Sequence, residues 1–422
     1  MLDALRNTFR IGDLRSKILY TGALLLVYRI GAHVPVPGVD ARALANMLGV
    51  GEGGAFGFLD LFSGGALGRF TVFAMGVSPY ITASIIVQLL QVAVPQLEEM
   101  AKEGVEGRKK LQQYTRYGTI VLALIQAISV TLLARSWQVI ANPNFFTLTL
   151  IVMTLTAGTC LLMWLGEKIT QRGIGNGISM LIFTGIIAGL PYTTFRMFQA
   201  VGQGGISFIS VVIYMVLAVG IIAGTVMVQE GQRRIPVQYA KKVVGRRMYG
   251  GQSTHIPLRV NTAGVIPVIF ASSVLLIPQT IGQFIPAVAK YFNWLSIGTL
   301  GYNIVYIALI IFFTYFYTAI TFNPVEVANN MKKNGGFIPG LRPGRPTAEY
   351  MDRVLSRITL FGAIFLAIIA VMPNIVAAIT RIPMSFIAFG GTSLLIVVGV
   401  ALDTMKQIEA HLLLRHYEGF MK

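Results

Sequence analysis

Long apolar runs alternate with short polar stretches along this chain. A membrane-crossing helix needs about 20 mostly apolar residues. Ten stretches meet that length, at roughly 17–34, 71–94, 115–136, 147–166, 178–197, 206–228, 261–284, 302–322, 356–373 and 384–403. The pattern predicts an all-α polytopic membrane protein. One more apolar piece, Phe56-Gly57-Phe58-Leu59-Asp60-Leu61-Phe62, is too short to cross and lies among glycines. Two readings of it stay open from the residues alone. It is an external loop with a surface helix, or a re-entrant segment covered by protein at membrane depth. No separate soluble domain is expected. The longest polar stretches are 229–260 and 323–355.

Composition agrees with the pattern. Of 422 residues, 55% are hydrophobic and 12% charged. The charged share is about half that of soluble domains. A soluble enzyme or a disordered chain is excluded on that balance. The single cysteine, Cys160, makes neither an internal disulfide nor a multi-cysteine metal site. No cleavable signal peptide is expected in the amphipathic start MLDALRNTFRIGDLRSK.

The net charge of +17 is distributed by side. With ten spans both ends share one side. Lysine and arginine number 27 on that side and 6 on the other, with Arg29 inside the first span. The positive-inside bias makes both termini cytoplasmic. Arg29 lies near the outer end of its span, where its head group is expected to snorkel to water.

The spans lack the chemistry of several membrane functions. Their interiors contain no Asp or Glu, so the carboxylates of an ion-coupled transporter are missing. There is no paired catalytic set, nucleophile elbow or phosphate loop, so an intramembrane enzyme has no candidate residues. RGIGNGIS (172–179) has closely spaced glycines, but no βαβ unit surrounds it, and it reads as a tight turn opening the fifth span. Gly76 and Pro79 in the second span, and Gly264, Pro267 and Pro278 in the seventh, predict bent helices. From the residues alone, a small-solute transporter, an intramembrane enzyme and a scaffold remain as weaker alternatives to a channel.

Several long strings resemble the SecY/Sec61-alpha family of protein-conducting channels. They are QRRIPVQYAKKVVGRRMYGGQSTHIPLRVNTAGVIPVIFASS (232–273), GVSPYITASIIVQLL (76–90), EGRKKLQQYTRYGT (106–119), RGIGNGIS (172–179), NPVEVANNMKKNGGFIPGLRPGRPT (323–347) and FGGTSLLIVVGVALD (389–403). The resemblance runs from about residue 10 to the C-terminus. It implies two inverted five-helix halves, residues 1–200 and 201–422, around an hourglass channel for unfolded secretory polypeptides. It implies no catalytic activity and no cofactor.

The resemblance also assigns residues. A pore ring would comprise Val77, Ile81, Ile182, Ile186, Ile269 and Ile396. The pairs 77/81 and 182/186 have the i, i+4 spacing of one helix face. Branched aliphatic side chains can make a constriction that stays dry when shut. Residues 56–67 would be a plug, with Phe56, Phe58, Leu59, Leu61 and Phe62 filling the external funnel. A lateral gate would lie between the second and seventh spans, with Gln88, Gln126, Ser272, Ser273 and Ile277. Arg342, Arg246, Arg247, Lys241 and Lys242 would dock the SecA ATPase and the ribosome through rRNA. The other implied partners are SecE-like and SecG-like small subunits, signal sequences, the translocating polypeptide and anionic lipid. The implied location is the bacterial plasma membrane.

Overall fold

The computed structural model describes residues 11–40, 60, 63–239, 242–244, 247–249, 253–284, 293–295, 299–380, 382–383 and 391–420. In chain order the helices are α1 (Gly12–Gly31), α2 (Ser78–Ala93), α3 (Pro95–Lys102), α4 (Val105–Ser136), α5 (Phe145–Arg172), α6 (Gly177–Gly202) and α7 (Phe208–Glu230). Strands β1 (Gln232–Tyr239), β2 (Lys242–Val244), β3 (Arg247–Tyr249) and β4 (Ser253–Arg259) come next. Then come α8 (Ile266–Phe284), α9 (Leu300–Thr321), α10 (Pro324–Lys333), β5 (Gly336–Phe337), α11 (Arg345–Thr380) and α12 (Gly391–Phe420).

Each expected span has a helix among the described residues. Among the described residues, seven helices are long and apolar enough to cross a membrane. An eighth results if α2 and α3, bent by 101° at Val94, count as one. One other helix falls short for a physical reason. In α1, Asp13, Arg15, Lys17 and Arg29 dilute the apolar run. α8, Ile266–Phe284, runs 19 residues with no Asp, Glu, Lys or Arg.

Two boundaries also move. Residues 71–77, expected to be helical, form turns, with Gly76 at φ 58° and Phe70 at φ 45°. The last helix begins at Gly391, whereas residues 384–390 lie outside the described residues. The glycine-rich stretch at 172–179 is a turn, as expected. Gly175 takes φ 85°, and Asn176 caps α6 by accepting from the Ser179 amide at 3.2 Å.

Threonines inside the helices satisfy themselves. The hydroxyls of Thr115, Thr119, Thr131, Thr159 and Thr314 each donate to the carbonyl four residues earlier, at 2.6–3.2 Å. That pairing suits a lipid medium, where an unmet polar group is costly. Large apolar side chains such as Leu26, Val216 and Phe361 face outward, 61%, 68% and 61% exposed. In water such a surface would aggregate, but lipid is its natural solvent.

The two longest polar stretches have structure of their own. Stretches 229–260 and 323–355 fold together. β1 pairs antiparallel with β4, from Gln232↔Arg259 to Gln238↔Ser253, and β5 adds to the other edge at Gln238↔Phe337 and Tyr239↔Gly336. Ile235, Val237, Leu258, Met331, Ile338 and Met351 make their own buried cluster. Alternation in β1 puts Ile235 and Val237 on that cluster and the intervening residues outward. α10 closes over it, held by Asn323, whose side chain accepts from the Val325 and Glu326 amides.

Candidate functional site

The site is built around the non-helical entry to α2. Val77 is the N-cap residue of α2, and Ile81 stands one turn later. Both belong to one apolar cluster that also takes Ile182 and Ile186 from α6, Ile269 from α8 and Ile396 from α12. Val77, Ile182, Ile186 and Ile396 are 4%, 2%, 2% and 1% exposed. Ile81 and Ile269 are half-buried. So residues separated by more than 300 positions converge from four helices into one apolar cluster. Phe73, Leu162, Leu165, Ile169 and Val400 support the cluster from behind.

The apolar plug residues Phe56, Phe58, Leu59, Leu61 and Phe62 lie outside the described residues. Asp60 and the turn at 63–68 are tightly stitched. The Asp60 carbonyl accepts from the Gly65 amide at 2.9 Å and from Ser63 Oγ at 3.0 Å. Asp60 Oδ1 accepts from the Gly68 amide at 2.7 Å, and Ser63 Oγ accepts from the Leu67 amide at 3.1 Å. Burial raises the Asp60 carboxyl pKa above its ordinary value, against the smaller opposing effect of the Gly68 amide. Ala66, fully buried, belongs to the same cluster as the six aliphatic residues.

Two residues of α1 hold this turn, and sequence reasoning did not find them. Tyr28 Oη donates to the Ser63 carbonyl at 3.1 Å. Arg29 is half-buried, and one of its Nη atoms donates to the Gly64 carbonyl at 2.9 Å. The signal was the lone basic residue inside a span, but its partner lies 35 positions away.

The expected gate helices α2 and α8 pack together, with Ile85 against a cluster holding Val268, Ala271 and Leu275. Gln88 Nε2 donates within its own helix to Ser84 Oγ at 3.2 Å. Ser272, buried, donates to the Ile269 carbonyl at 2.8 Å. Ser273 and Gln126 are half-buried, Gln126 on α4 beside α2. Ile277 lies in α8, with its side chain outside the described residues. Among the described residues no hydrogen bond crosses from α2 to α8. Among the described residues the seam is made by apolar contacts.

Arg342 is exposed on the extramembrane unit, in a turn between Gly340 (φ 84°) and Gly344 (φ 110°). Thr347 Oγ1 ties its carbonyl at 2.9 Å. Lys242 and Arg247 sit on the paired strands β2 and β3, with their side chains outside the described residues. Lys241 and Arg246 lie outside the described residues altogether.

The SecY family model matches residues 71–405. The chain is 51% identical to the protein translocase subunit SecY of Mycobacterium tuberculosis, over 100% of both chains. It is 48% identical to that of Streptomyces coelicolor, again over 100% of both. The chain belongs to the SecY family.

Solved SecY-type folds agree. A structure of a protein conducting channel matches with TM-score 0.66 and 20% identity, covering 94% of this chain and 92% of that one. Sec61 in a canine ribosome-channel complex matches with TM-score 0.63 and 19% identity, over 94% and 92%. A SecY chain is a multi-pass membrane subunit of a translocase, not an enzyme. One further feature of this SecY chain had no sequence signal: Glu167, 9% exposed, accepts from Arg116 Nε at 2.7 Å and Gln112 Nε2 at 3.3 Å.

Proposed function

We propose that the chain forms the protein-conducting channel of a bacterial plasma membrane, passing unfolded secretory polypeptides outward and releasing transmembrane segments sideways into lipid. The observation that carries this is the convergence of Val77, Ile81, Ile182, Ile186, Ile269 and Ile396 in one apolar cluster. A channel that must pass every side-chain type is best closed by groups that bind none of them. Branched aliphatic residues keep water and ions out by dewetting and yield to a passing chain.

In this reading ten spans form two inverted halves, 1–200 and 201–422, with both termini cytoplasmic. Residues 56–67 act as the plug. The seam between α2 and α8 is the lateral gate, whose contacts are dispersive and cost little to part. The basic unit at 229–260 and 323–355 faces the cytoplasm. Arg342 leads its docking surface for SecA and for the ribosome, and Arg246, Arg247, Lys241 and Lys242 are the further docking residues. A guanidinium pairs equally with carboxylate and phosphate. SecE-like and SecG-like subunits, signal sequences and anionic lipid complete the partners. SecA or the translating ribosome supplies the energy.

The test is a disulfide crosslink. Cys160→Ala removes the native thiol, Ile269→Cys places one at the cluster, and a stalled secretory precursor carries one cysteine at mid-length. A crosslink only with the stalled chain places polypeptide at the cluster. Export without any crosslink overturns the ring.

A further inference from the structure

We propose that Tyr28 and Arg29 of α1, working against Gly185 of α6, are the positioning residues that keep segment 63–68 seated in the idle channel. The proposal rests on reading 56–67 as the plug.

The two side chains are sequence neighbours near the end of α1, and they reach adjacent carbonyls, Ser63 and Gly64. Tyr28 is 2% exposed, and its ring lies on Phe73 with centroids 5.9 Å apart. Its hydroxyl is therefore delivered to one place by ring packing, at small cost in side-chain entropy. Arg29 brings a charged donor to a carbonyl at the same turn, and such bonds are stronger than neutral ones.

The turn has little freedom to move under them. Gly64 and Gly65 take φ 68° and 83°, a region open to glycine. A Cβ on Gly64 would lie 2.8 Å from Gly185 Cα and 3.2 Å from Tyr28 Oη. A Cβ on Gly185 would lie 3.1 Å from Tyr28 Oη and 3.2 Å from the Gly64 amide nitrogen. Gly64, Gly185 and the tyrosine hydroxyl thus meet at a point with no space for a methyl group. Gly185 precedes Ile186 and comes after Ile182, both in the apolar cluster. A shift of α6 that widens the cluster also withdraws the surface behind Gly64.

Asp60 and residues 63–71 then move together, pivoting where the Phe70 carbonyl accepts from the Val36 amide at 3.0 Å. Asp60, Ser63 and the Thr71–Ala66 pairing bind them internally. Their described ties to α1 are the two carbonyl bonds. Losing one net hydrogen bond changes an equilibrium by roughly 2- to 10-fold.

The experiment uses the whole channel, with its small subunits, in proteoliposomes. Idle ion leak and export of a precursor are measured for Tyr28→Phe, Arg29→Gln, Arg29→Lys and Gly185→Ala. Each is repeated with residues 60–68 replaced by a Gly-Ser linker. Tyr28→Phe keeps the ring on Phe73, so it carries the test even where Gly185→Ala fails to fold.

The expected result is a leak raised about 2- to 10-fold by Tyr28→Phe and by Arg29→Gln. Arg29→Lys restores part of the seal. Export continues, and a precursor with a weakened signal sequence passes more readily. In the linker background the same substitutions add nothing, because the turn they hold is gone. A leaking linker channel beside tight Tyr28→Phe and Arg29→Gln channels overturns the latch and leaves the plug reading standing. A linker channel that does not leak overturns the plug reading and the latch with it.

Discussion

Arg116 on α4 and Glu167 on α5 are joined at 2.7 Å, although 51 residues separate them. The carboxylate side chain is 10% exposed and the guanidinium 37%. Gln112, one helical turn before Arg116, supplies a second donor. A buried carboxylate stripped of its cation is costly, and a partly exposed partner softens that cost. Arg116→Ala is expected to destabilise the protein by about 1–3 kcal/mol. Glu167→Gln, which leaves no orphaned carboxylate, is expected to cost less. Thermal unfolding in detergent, read as the ordering of the two variants, checks this. A larger loss for Glu167→Gln would contradict it.

The ring residues differ in how much an insertion of polarity can be tolerated. Ile81 and Ile269 are half-buried, whereas Ile182 and Ile396 are 2% and 1% exposed. Asparagine at 81 or 269 can hydrate a dry constriction without collapsing the packing behind it. Ile81→Asn with Ile269→Asn is expected to raise the ion leak of proteoliposomes while the protein stays folded. Ile182→Asn buries an unpaired amide and is expected to lower stability by about 2–5 kcal/mol. Unchanged leakage in the first variant would sink the ring assignment.

Docking and stability are separable on the extramembrane unit. Arg342 is exposed and holds its turn only through its backbone carbonyl. Arg342→Ala is expected to weaken ribosome and SecA binding, with thermal stability within about 0.5 kcal/mol of the parent. Binding to ribosomes should also weaken as salt rises, since rRNA is a polyanion. Met351, fully buried, belongs to the unit's own apolar cluster. Met351→Ala leaves every basic residue in place, costs about 2–5 kcal/mol in local packing and is expected to impair docking indirectly. Co-sedimentation with ribosomes across a salt series, alongside limited proteolysis of the unit, distinguishes the two.

Asp60 makes seating of its loop depend on pH. Burial raises its carboxyl pKa, so the seated loop holds a proton more tightly than a loop released to water. The stabilisation is complete below the ordinary carboxylate value of about 4 and is lost as pH rises through the raised value. Idle leak is therefore expected to be lower in mild acid than at neutral pH. Asp60→Asn cannot titrate, so its leak is expected to be flat over that range. A wild-type leak independent of pH would contradict the role of this carboxyl.

The membrane-crossing helices were legible because lipid forces a local rule: about 20 apolar residues, with backbone bonds made inside the segment. α5, α7 and α9 obey it and could be read directly. The pairs 77/81 and 182/186 were singled out by the resemblance, and their i, i+4 spacing agrees with one helix face. α1 satisfies the rule only partly, because its charged residues dilute the signal.

The sheet of the basic unit had no such signature. β1 meets its partners at residues 253–259 and 336–337, and Pro236 and Pro257 lie inside both main strands, where sequence signals argue against a strand. Long-range pairing of that kind is set by which apolar faces meet, not by local composition.

By itself, the sequence determined that the chain lives in a membrane, roughly where its helices run and which side carries the positive charge. These come from transfer free energies and charge placement, which are sums over neighbouring residues. Only the tertiary structure decided that six aliphatic residues share one cluster, that Arg29 turns inward to Gly64, and that Glu167 answers Arg116. Each depends on distances between helices far apart in the chain. Those distances are fixed by packing, down to whether a glycine leaves room for a neighbour's hydroxyl.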